Sequence, residues 1–251
     1  MPATHEVTNQ PPPLVDHDAY TTDVALVEGV VRHGGSVPGA EPAEKELVEL
    51  GRLAGSEQAR VWAEQANANP PVLRTHDRYG HRIDEVEFHP AWHELLRVAV
   101  GHGMHGTAWV DTAPAPHLRR AARTYLWYQV EAGHVCPISM TYAVVPALRH
   151  APDLAARYEP GLTSTDYDFG LRPPESKSGL LAGMGMTEKQ GGSDVRANTT
   201  RAVPTADGTF RLTGHKWFMS APMSDLFLVL AQEPAGLSCF CVPRVLPDGS
   251  L

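Results

Sequence analysis

The sequence predicts an α+β fold in which an all-α N-terminal domain is followed by a small antiparallel β-domain. Up to about residue 160, apolar residues recur at helical spacing between proline-containing breaks. Beyond about residue 180, short apolar or alternating segments are separated by glycine-containing turns. We therefore expect a flexible lead-in over residues 1–40, a helical domain over residues 41–178 and a β-domain over residues 179–251.

The helical domain is predicted to contain four helices. In the first, leucine and aromatic residues recur at near-helical spacing, Gly51 and Gly55 weaken the pattern, and Asn69-Pro70-Pro71 ends it. The second begins at Pro90, a proline at an entry position, and carries an apolar stripe. The predicted helices span residues 44–67, 90–100, 116–131 and 137–148. The aromatic residues expected in the core are Trp92, Tyr125, Trp127 and Tyr128.

The β-domain is predicted to contain strands at residues 199–203, 210–214, 226–231 and 237–242. Asp207-Gly208 is a hairpin signal between the first two. The unbroken apolar run at 226–231 is typical of a strand that is buried on both faces. Pro247-Asp248-Gly249 is expected to form a turn. A sheet that stops at a turn leaves an unpaired edge. Either another chain covers that edge or the protein is longer, and we favour the longer protein.

Charge and cysteine content argue against several functions. A net charge of −8 disfavours a nucleic-acid surface, and the basic run at 118–123 is interpreted as the solvated side of a helix. Cys136, Cys239 and Cys241 suit neither a disulfide framework nor a metal site, so we expect packed thiols in a reduced, cytoplasmic compartment. Neither a signal peptide nor a membrane-spanning run is evident. We interpret His102, His105, His134, His215 and Glu131 as structural residues.

Two segments of the β-domain place a hydroxyl beside apolar side chains. The first, residues 184–194, reads Met-Gly-Met-Thr-Glu-Lys-Gln-Gly-Gly-Ser-Asp, and the second, residues 214–220, reads Gly-His-Lys-Trp-Phe-Met-Ser. This combination suits a large planar ring that accepts hydrogen bonds, such as a flavin. Two glycines beside Ser193 would let the backbone approach a phosphate, although glycine pairs more often form simple turns. Likewise, the hydroxyls of Thr187 and Ser220, taken without any family resemblance, more often bond backbone groups at strand ends.

The two segments resemble the signatures of the acyl-CoA dehydrogenase family. Residues 186–194 resemble the first, usually Thr-Glu-Pro-x-Ala-Gly-Ser-Asp, and residues 216–220 resemble the second, usually Lys-x-Trp-Ile-Thr/Ser. The variant is most similar to the AidB branch, bacterial proteins linked to the response to alkylation damage. That likeness extends over residues 78–92 and 131–142 and on to Gly249. It implies an acyl-CoA dehydrogenase-like fold from which the C-terminal helical bundle is missing.

The resemblance implies a non-covalent FAD. Met186 and Thr187 would lie against the pyrimidine side of the flavin, Ser193 would reach the pyrophosphate, and Ser220 would lie near N5. The family's ring-stacking Trp aligns with Phe218, and Trp217 comes one place early, so both aromatics remain candidates. The expected FAD-binding residues are Met184, Gly185, Met186, Thr187, Gly192, Ser193, Phe218, Met219 and Ser220. Thr187 and Ser193 are also expected to bind substrate.

The implied reaction is α,β-dehydrogenation of an acyl-CoA thioester with hydride transfer to the flavin. In the family the carboxylate base belongs to the C-terminal bundle. We therefore expect no catalytic residue in this chain, a base beyond Leu251, and little or no activity from the chain alone. The family also implies a homo-oligomer, a tetramer at full length.

Two alternatives stay open. One is a DNA-associated flavoprotein that counters alkylating agents and contacts DNA through the absent C-terminal region. The other is an interaction module that pairs through its sheet edge.

Overall fold

Helices predominate in the described residues up to Leu162, and a five-stranded sheet begins at Ala182, which confirms the predicted fold class. The computed structural model describes residues 4–34, 41–246 and 249–250. Within these residues, no helix is both long and apolar enough to cross a membrane.

Two expectations for the C-terminal end fall on residues outside the described ranges. Pro247 and Asp248 belong to the predicted final turn, and Leu251 is the residue beyond which the catalytic base is expected; all three lie outside the described residues. The turn and the position of the base therefore stay predictions.

The helices begin and end close to the sequence signals, with three differences. They are α1 Val24–Gly34, α2 Glu41–Ala54, α3 Glu57–Ala68, α4 Pro90–Gly101, α5 Pro116–Tyr128, α6 Val135–Leu148 and α7 Pro152–Leu162. The single helix predicted at 44–67 is wrong, because Ser56 ends one helix and caps the next by accepting from the Ala59 N–H at 3.2 Å. Neither α1 nor α7 has a counterpart among the predicted helices. The predicted helix at 116–131 ends early, at Tyr128.

The break between α2 and α3 is also where the N-terminal segment docks. The His17 N–H donates to Gly55 O at 3.3 Å, and the Ala19 N–H donates to Gly51 O at 3.1 Å. Tyr20 is 1% exposed and belongs to the main helical core. The expectation of a loose lead-in therefore fails at this point, because backbone bonds and a buried ring fix the segment to the helices.

Trp127 is the centre of the helical core, whereas two of the other predicted core aromatics lie outside it. Trp127 is fully buried and its indole N–H donates to Leu95 O at 3.0 Å. Tyr125 and Tyr128 are about half exposed, so their prediction as core residues is wrong. They lie on the outer side of α5, because residues one and two positions from Trp127 on a helix point away from it.

The basic run on α5 is not a solvated face, which corrects the prediction. Arg123 is buried and pairs with Glu46 at 2.5 Å, while Arg119 pairs with Asp111 at 2.8 Å. Arg120 lies over the Tyr142 ring, 3.7 Å from its centroid. These arginines join α5 to its neighbours, a role that charge counting does not reveal.

A hairpin interrupts the helical domain where sequence analysis predicts no strand. It consists of β1 Val72–His76 and β2 Arg82–Glu87, paired antiparallel. Both strands are largely exposed, and β2 is rich in charge, so the apolar alternation that marks a strand is missing. Phe88, directly after β2, stacks on Trp92 of α4 with ring centroids 3.8 Å apart, which attaches the hairpin to the helices.

The sheet is mixed rather than purely antiparallel. Its strands are β3 Ala182–Gly185, β4 Arg201–Pro204, β5 Phe210–Thr213, β6 Leu226–Glu233 and β7 Gly236–Pro243. The β4–β5 hairpin and the buried strand β6 are confirmed, and β7 pairs antiparallel along the whole of β6. On the other edge of β6, β3 and β4 both pair in parallel, which corrects the antiparallel prediction. All three cysteines are free, and Cys239 is exposed, which corrects its prediction as a packed thiol. The described residues contain no group of His, Cys, Asp and Glu suited to a metal.

A buried ion pair joins the segment before β3 to the start of β6. Lys177 Nζ lies 2.5 Å from Asp225 Oδ1, and the two side chains are 2% and 6% exposed. The second oxygen of Asp225 accepts from the Leu181 N–H at 2.9 Å. Because both carboxylate oxygens have donors, the charge is compensated where water does not reach it.

We predict that Gly55→Ala destabilises the helical domain. A Cβ at Gly55 would lie 2.1 Å from His17 O, so the docked segment must shift, at a cost of about 1–3 kcal/mol. Gly29→Ala, in α1 with nothing within 4 Å of the added Cβ, is the matched control and should stabilise by about 0.5–1 kcal/mol. Thermal unfolding monitored by circular dichroism measures both. Equal melting temperatures for Gly55→Ala and the unmodified chain would contradict the close approach.

Candidate functional site

The segments 184–194 and 214–220 lie side by side. The Trp217 N–H donates to Thr187 O at 2.9 Å, and Glu188 forms an antiparallel bridge with Lys216. Successive side chains of extended backbone point to opposite faces. Glu188 and Lys216 therefore point inward together, while Thr187 and Trp217 share the outer face.

Glu188 holds the two segments in place. Its carboxylate is buried and accepts six hydrogen bonds of 2.6–3.1 Å. The donors are the Gln190 amide, the backbone N–H and hydroxyl groups of Thr199 and Thr200, and the Lys216 ammonium. Burial alone would raise the pKa of Glu188, but the hydrogen bonds from Thr200, Thr199 and Gln190 outweigh it and hold the pKa far below its usual range. Glu188 is therefore ionised. It links Gln190 of the first segment, the residues just before β4 and Lys216 of the second segment.

Two hydroxyls of the first segment are available to a ligand. Within the described part of the chain, neither the Thr187 nor the Ser193 hydroxyl has a hydrogen-bond partner. Gly192 packs against Thr187, since an added Cβ would lie 2.9 Å from Thr187 Oγ1. Beside Ser193 a cavity of about 330 Å³ is lined by Gln190, Gly191, Ser193, Asp194, Ala197 and Asn198. Glycine here leaves room for an incoming group next to both hydroxyls.

The sulfur-bearing residues form the apolar side of this region. Met184 and Met186 are half-buried and pack against the core cluster shared by α6, α7 and β6. Gly185 lies against Met219, because an added Cβ would be 3.0 Å from Met219 Sδ. The Asn198 amide donates to Met186 O at 2.9 Å and fixes the backbone before Thr187.

Phe218 departs from the backbone pattern around it. Its φ is 59°, in the left-handed region that bulky residues avoid, and its side chain is 78% exposed. The neighbouring Trp217 is 41% exposed and lies 5.7 Å from the Phe218 ring, centroid to centroid. A strained backbone that holds a large apolar ring in solvent is typical of a ligand contact.

Ser220 is bound to the helical domain through a residue that sequence analysis does not identify. Its hydroxyl lies 2.9 Å from the Cys136 thiol, in the first turn of α6. The residues are 84 positions apart, so no local sequence signal connects them. This bond places the second segment against the N-terminus of α6.

Glu131 and His134 fix the start of α6. Glu131 accepts from the Gly133 N–H at 2.7 Å and from the His134 N–H and ring at 2.8 and 2.9 Å. Burial raises the pKa of Glu131, but these bonds outweigh it and lower the pKa to about 2. His105 is also buried, with Nε2 2.7 Å from Ser164 O, and His102 lies 3.3 Å from Glu46. These contacts are structural.

Comparison with known proteins decides the family. The family model described as "Adaptive response protein AidB N-terminal domain" matches residues 9–169, and "Acyl-CoA dehydrogenase, middle domain" matches residues 183–250. This chain belongs to the acyl-CoA dehydrogenase family. The predicted family and its AidB branch are both confirmed.

Individual relatives agree with this assignment. The chain is 48% identical over 248 residues to the Escherichia coli K12 protein named putative acyl-CoA dehydrogenase AidB, covering 98% of this chain and 45% of the relative. Among solved structures, Bd2924 in its apo form has a TM-score of 0.84 at 31% identity, covering 98% of this chain and 49% of that one. Caenorhabditis elegans ACDH-11, solved with C11-CoA, has a TM-score of 0.80 at 27% identity, with coverages of 99% and 44%. The chain thus spans about half the length of these relatives.

We predict that Glu188→Gln destabilises this acyl-CoA dehydrogenase family chain by about 3–5 kcal/mol, since it leaves the Lys216 ammonium buried without its carboxylate. Glu49→Gln, whose side chain is 63% exposed on α2, is the control and should change stability by less than about 0.5 kcal/mol. Urea unfolding followed by tryptophan fluorescence gives both values. A Glu188→Gln chain as stable as the control would show that the carboxylate does not hold the segments together.

The Glu131 carboxylate predicts an acid-sensitive contribution to stability. Because its pKa in the folded chain is about 2 against an ordinary 4.5, its stabilisation is present above pH 4.5 and is lost as the pH falls toward 2. Glu131→Gln should flatten the dependence of the unfolding free energy on pH in this range, and Glu49→Gln should leave it unchanged. The same slope in Glu131→Gln as in the unmodified chain would refute this role.

Proposed function

We propose that this chain supplies the helical domain and the flavin-edge segments of an FAD-dependent oxidoreductase of the AidB kind, which dehydrogenates an acyl-CoA or a similar thioester. Members of the family bind FAD, and ACDH-11 has been solved with C11-CoA. The observation that carries the proposal is the exposed, left-handed Phe218 beside the unpartnered Thr187 hydroxyl. Together they offer one apolar ring and one hydrogen-bonding group to a planar ligand.

The residues present fit a flavin nucleotide by the chemistry of their donors. Thr187 and Ser220 supply hydroxyls for the polar edge of a ring, while Met184, Met186 and Met219 supply apolar surface. Ser193, beside the glycine-lined cavity, suits a pyrophosphate oxygen. When bound, the flavin supplies the hydride acceptor. The residues of this chain bind and orient it.

Among the two aromatic residues, we assign the ring contact to Phe218. It is exposed nearly twice as much as Trp217, at 78% against 41%. Trp217 has neighbours already, since Lys189 Nζ lies 5.4 Å from its ring centroid. Because the backbone of Phe218 is left-handed, its side chain does not follow the alternating side-chain directions of the extended segment that contains Trp217.

Neither carboxylate near the site is assigned as the catalytic base. Glu188 and Glu131 are both tied by several hydrogen bonds and have lowered pKa values, so neither accepts a proton near neutral pH. In the proposed enzyme the base is contributed from beyond Leu251, as the family resemblance implies. Assembly into a homo-oligomer, a tetramer at full length, is part of the same proposal.

The biological setting we propose is an AidB-type response to alkylation damage. It is supported by 48% identity to the E. coli protein and by the description of the matching N-terminal family model as an adaptive response protein. The described arginines on α5 are engaged with Glu46, Asp111 and Tyr142, so they do not form a phosphate-binding surface. We therefore assign no DNA contact to this part of the molecule.

We predict that the chain binds FAD and that Gly192→Ala weakens binding about tenfold. The new Cβ would press on Thr187 Oγ1, 2.9 Å away, and displace the hydroxyl from the ring. Gly191→Ala, with nothing within 4 Å of the added Cβ, is the matched control and should bind as the unmodified chain does. Titration of FAD fluorescence measures all three affinities. Failure of the unmodified chain to bind FAD, or equal affinities for both variants, would contradict the proposed site.

The assignment of Phe218 is tested by comparing Phe218→Ala with Trp217→Ala. Loss of the contacting ring should weaken FAD binding about five- to tenfold, in line with roughly 1 kcal/mol for an aromatic contact. Loss of the other ring should change it less than about twofold. The same titration decides, with circular dichroism as the check on folding. A larger effect of Trp217→Ala would move the assignment to Trp217.

A further inference from the structure

A second cavity, of about 260 Å³, opens where the β1–β2 hairpin meets α4, the segment before β3 and the end of β7. Its lining residues are Arg74, Glu85, Val86, Glu87, Phe88, His93, Phe169, Gly170, Leu171, Met223 and Arg244. None of these belongs to residues 184–194 or 214–220. The cavity is therefore separate from the proposed flavin-edge segments and is not explained by them.

Three rings form an aromatic corner on one side of this cavity. Phe169 meets His93 edge-on at 4.6 Å and Phe88 edge-on at 6.2 Å, measured between ring centroids. The His93 ring is held by Tyr167, whose hydroxyl lies 2.7 Å from His93 Nδ1. Burial, with nearby Arg97, lowers the pKa of His93, so the ring is uncharged near neutral pH. The corner thus presents flat, neutral surface to a ligand.

On the hairpin side, Arg74 and Glu87 satisfy each other. Arg74 Nε lies 2.8 Å from Glu87 Oε2. The acidic groups near Arg244 are likewise occupied, since Asp84 pairs with Arg82 at 2.5 Å and Asp225 pairs with the buried Lys177. This leaves the charges of one carboxylate and one guanidinium to be accounted for.

Among the charged residues that line the cavity, Glu85 and Arg244 form no salt bridge in the described part of the chain. Arg244 donates to the backbone Asp84 O at 2.7 Å, but in the described part of the chain neither Glu85 nor Arg244 has an oppositely charged partner within 4 Å. Both residues line the cavity. Burial lowers the pKa of Arg244, whereas the charges of Asp225, Glu85 and Asp84 act to raise it. The half-buried guanidinium and the carboxylate thus face one cavity without touching each other.

We propose that this cavity binds a small zwitterion with a flat apolar body, of the class of aromatic α-amino acids. An α-amino acid carries its ammonium and carboxylate on one carbon, so it suits a small cavity that is lined by both a carboxylate and a guanidinium. The ammonium lies at Glu85, the carboxylate at Arg244 and the ring against Phe88 and Phe169. A guanidinium is well suited to a carboxylate because its N–H groups match both oxygens.

The size of the cavity supports this class of ligand. A cavity of about 150 Å³ accommodates benzene, so 260 Å³ has room for one ring and a short polar head. Drug-sized ligands occupy cavities of about 300–1,000 Å³. A molecule of a dozen heavy atoms at the efficiency usual for small ligands binds with a Kd on the order of 1 mM.

The test compares three ligands that differ in one charge each: L-phenylalanine, phenethylamine, which lacks the carboxylate, and 3-phenylpropionate, which lacks the ammonium. Binding to the full 251-residue chain is measured by saturation-transfer NMR and by chemical-shift titration. L-phenylalanine should bind at least about fivefold more tightly than either analogue, as expected for one lost charged hydrogen bond. Equal affinities for all three, or no binding of L-phenylalanine at about 10 mM, tenfold above that Kd, would overturn the proposal.

Two variants locate the ligand. Glu85→Gln, at an exposed position, should lower the affinity for L-phenylalanine and for phenethylamine about fivefold and leave the affinity for 3-phenylpropionate unchanged. Arg244→Lys keeps the positive charge but loses the paired N–H donors of the guanidinium. It should lower the affinity for L-phenylalanine and 3-phenylpropionate and leave the affinity for phenethylamine unchanged. Glu49→Gln on α2 is the control and should alter none. If Glu85→Gln lowers the affinity for all three ligands equally, or for none of them, Glu85 does not bind the ammonium group and the proposal fails. Neither Glu85→Gln nor Arg244→Lys should change the affinity for FAD, because neither residue belongs to the proposed flavin-edge segments.

Discussion

The carboxylate of Glu188 is the interaction on which the candidate site depends. Two signature segments, neither of which has its own packed core, are bound through one buried anion to the entry of β4 and to each other. Since the side chains of an extended backbone alternate, an inward Glu188 also fixes Thr187 as outward. The same carboxylate that links these segments therefore determines which side chains of the candidate site face outward.

The sequence predicts the fold best where one local signal suffices. The Asp207-Gly208 turn and the apolar run of β6 specify a hairpin and a buried strand, and Pro90 marks the start of α4. It predicts poorly where tertiary contacts override local pattern. The exposed hairpin of β1 and β2 is attached to the helices where Phe88 stacks on Trp92, and the buried Arg123 pairs with Glu46. No periodicity within either segment reports the partner.

For the candidate site, the sequence identifies the two signature segments, and the structure joins them where the Trp217 N–H donates to Thr187 O. The sequence does not reveal that Cys136 bonds Ser220, because the partners lie in different domains. Nor does it reveal the parallel pairing of β3 with β6, since parallel strands are joined by long connections whose course no turn residue specifies. The left-handed backbone of Phe218 is equally hidden, as Phe is not a residue that favours it.

The buried pair of Lys177 and Asp225 has a consequence for how the molecule comes apart. One partner belongs to the connection that leaves the helices and the other to the entry of the longest buried strand. If the region that contains one partner unfolded alone, the charged side chain of the other partner would stay buried without its counter-ion. The penalty disfavours partly unfolded species, so we expect the helical and strand regions to unfold together.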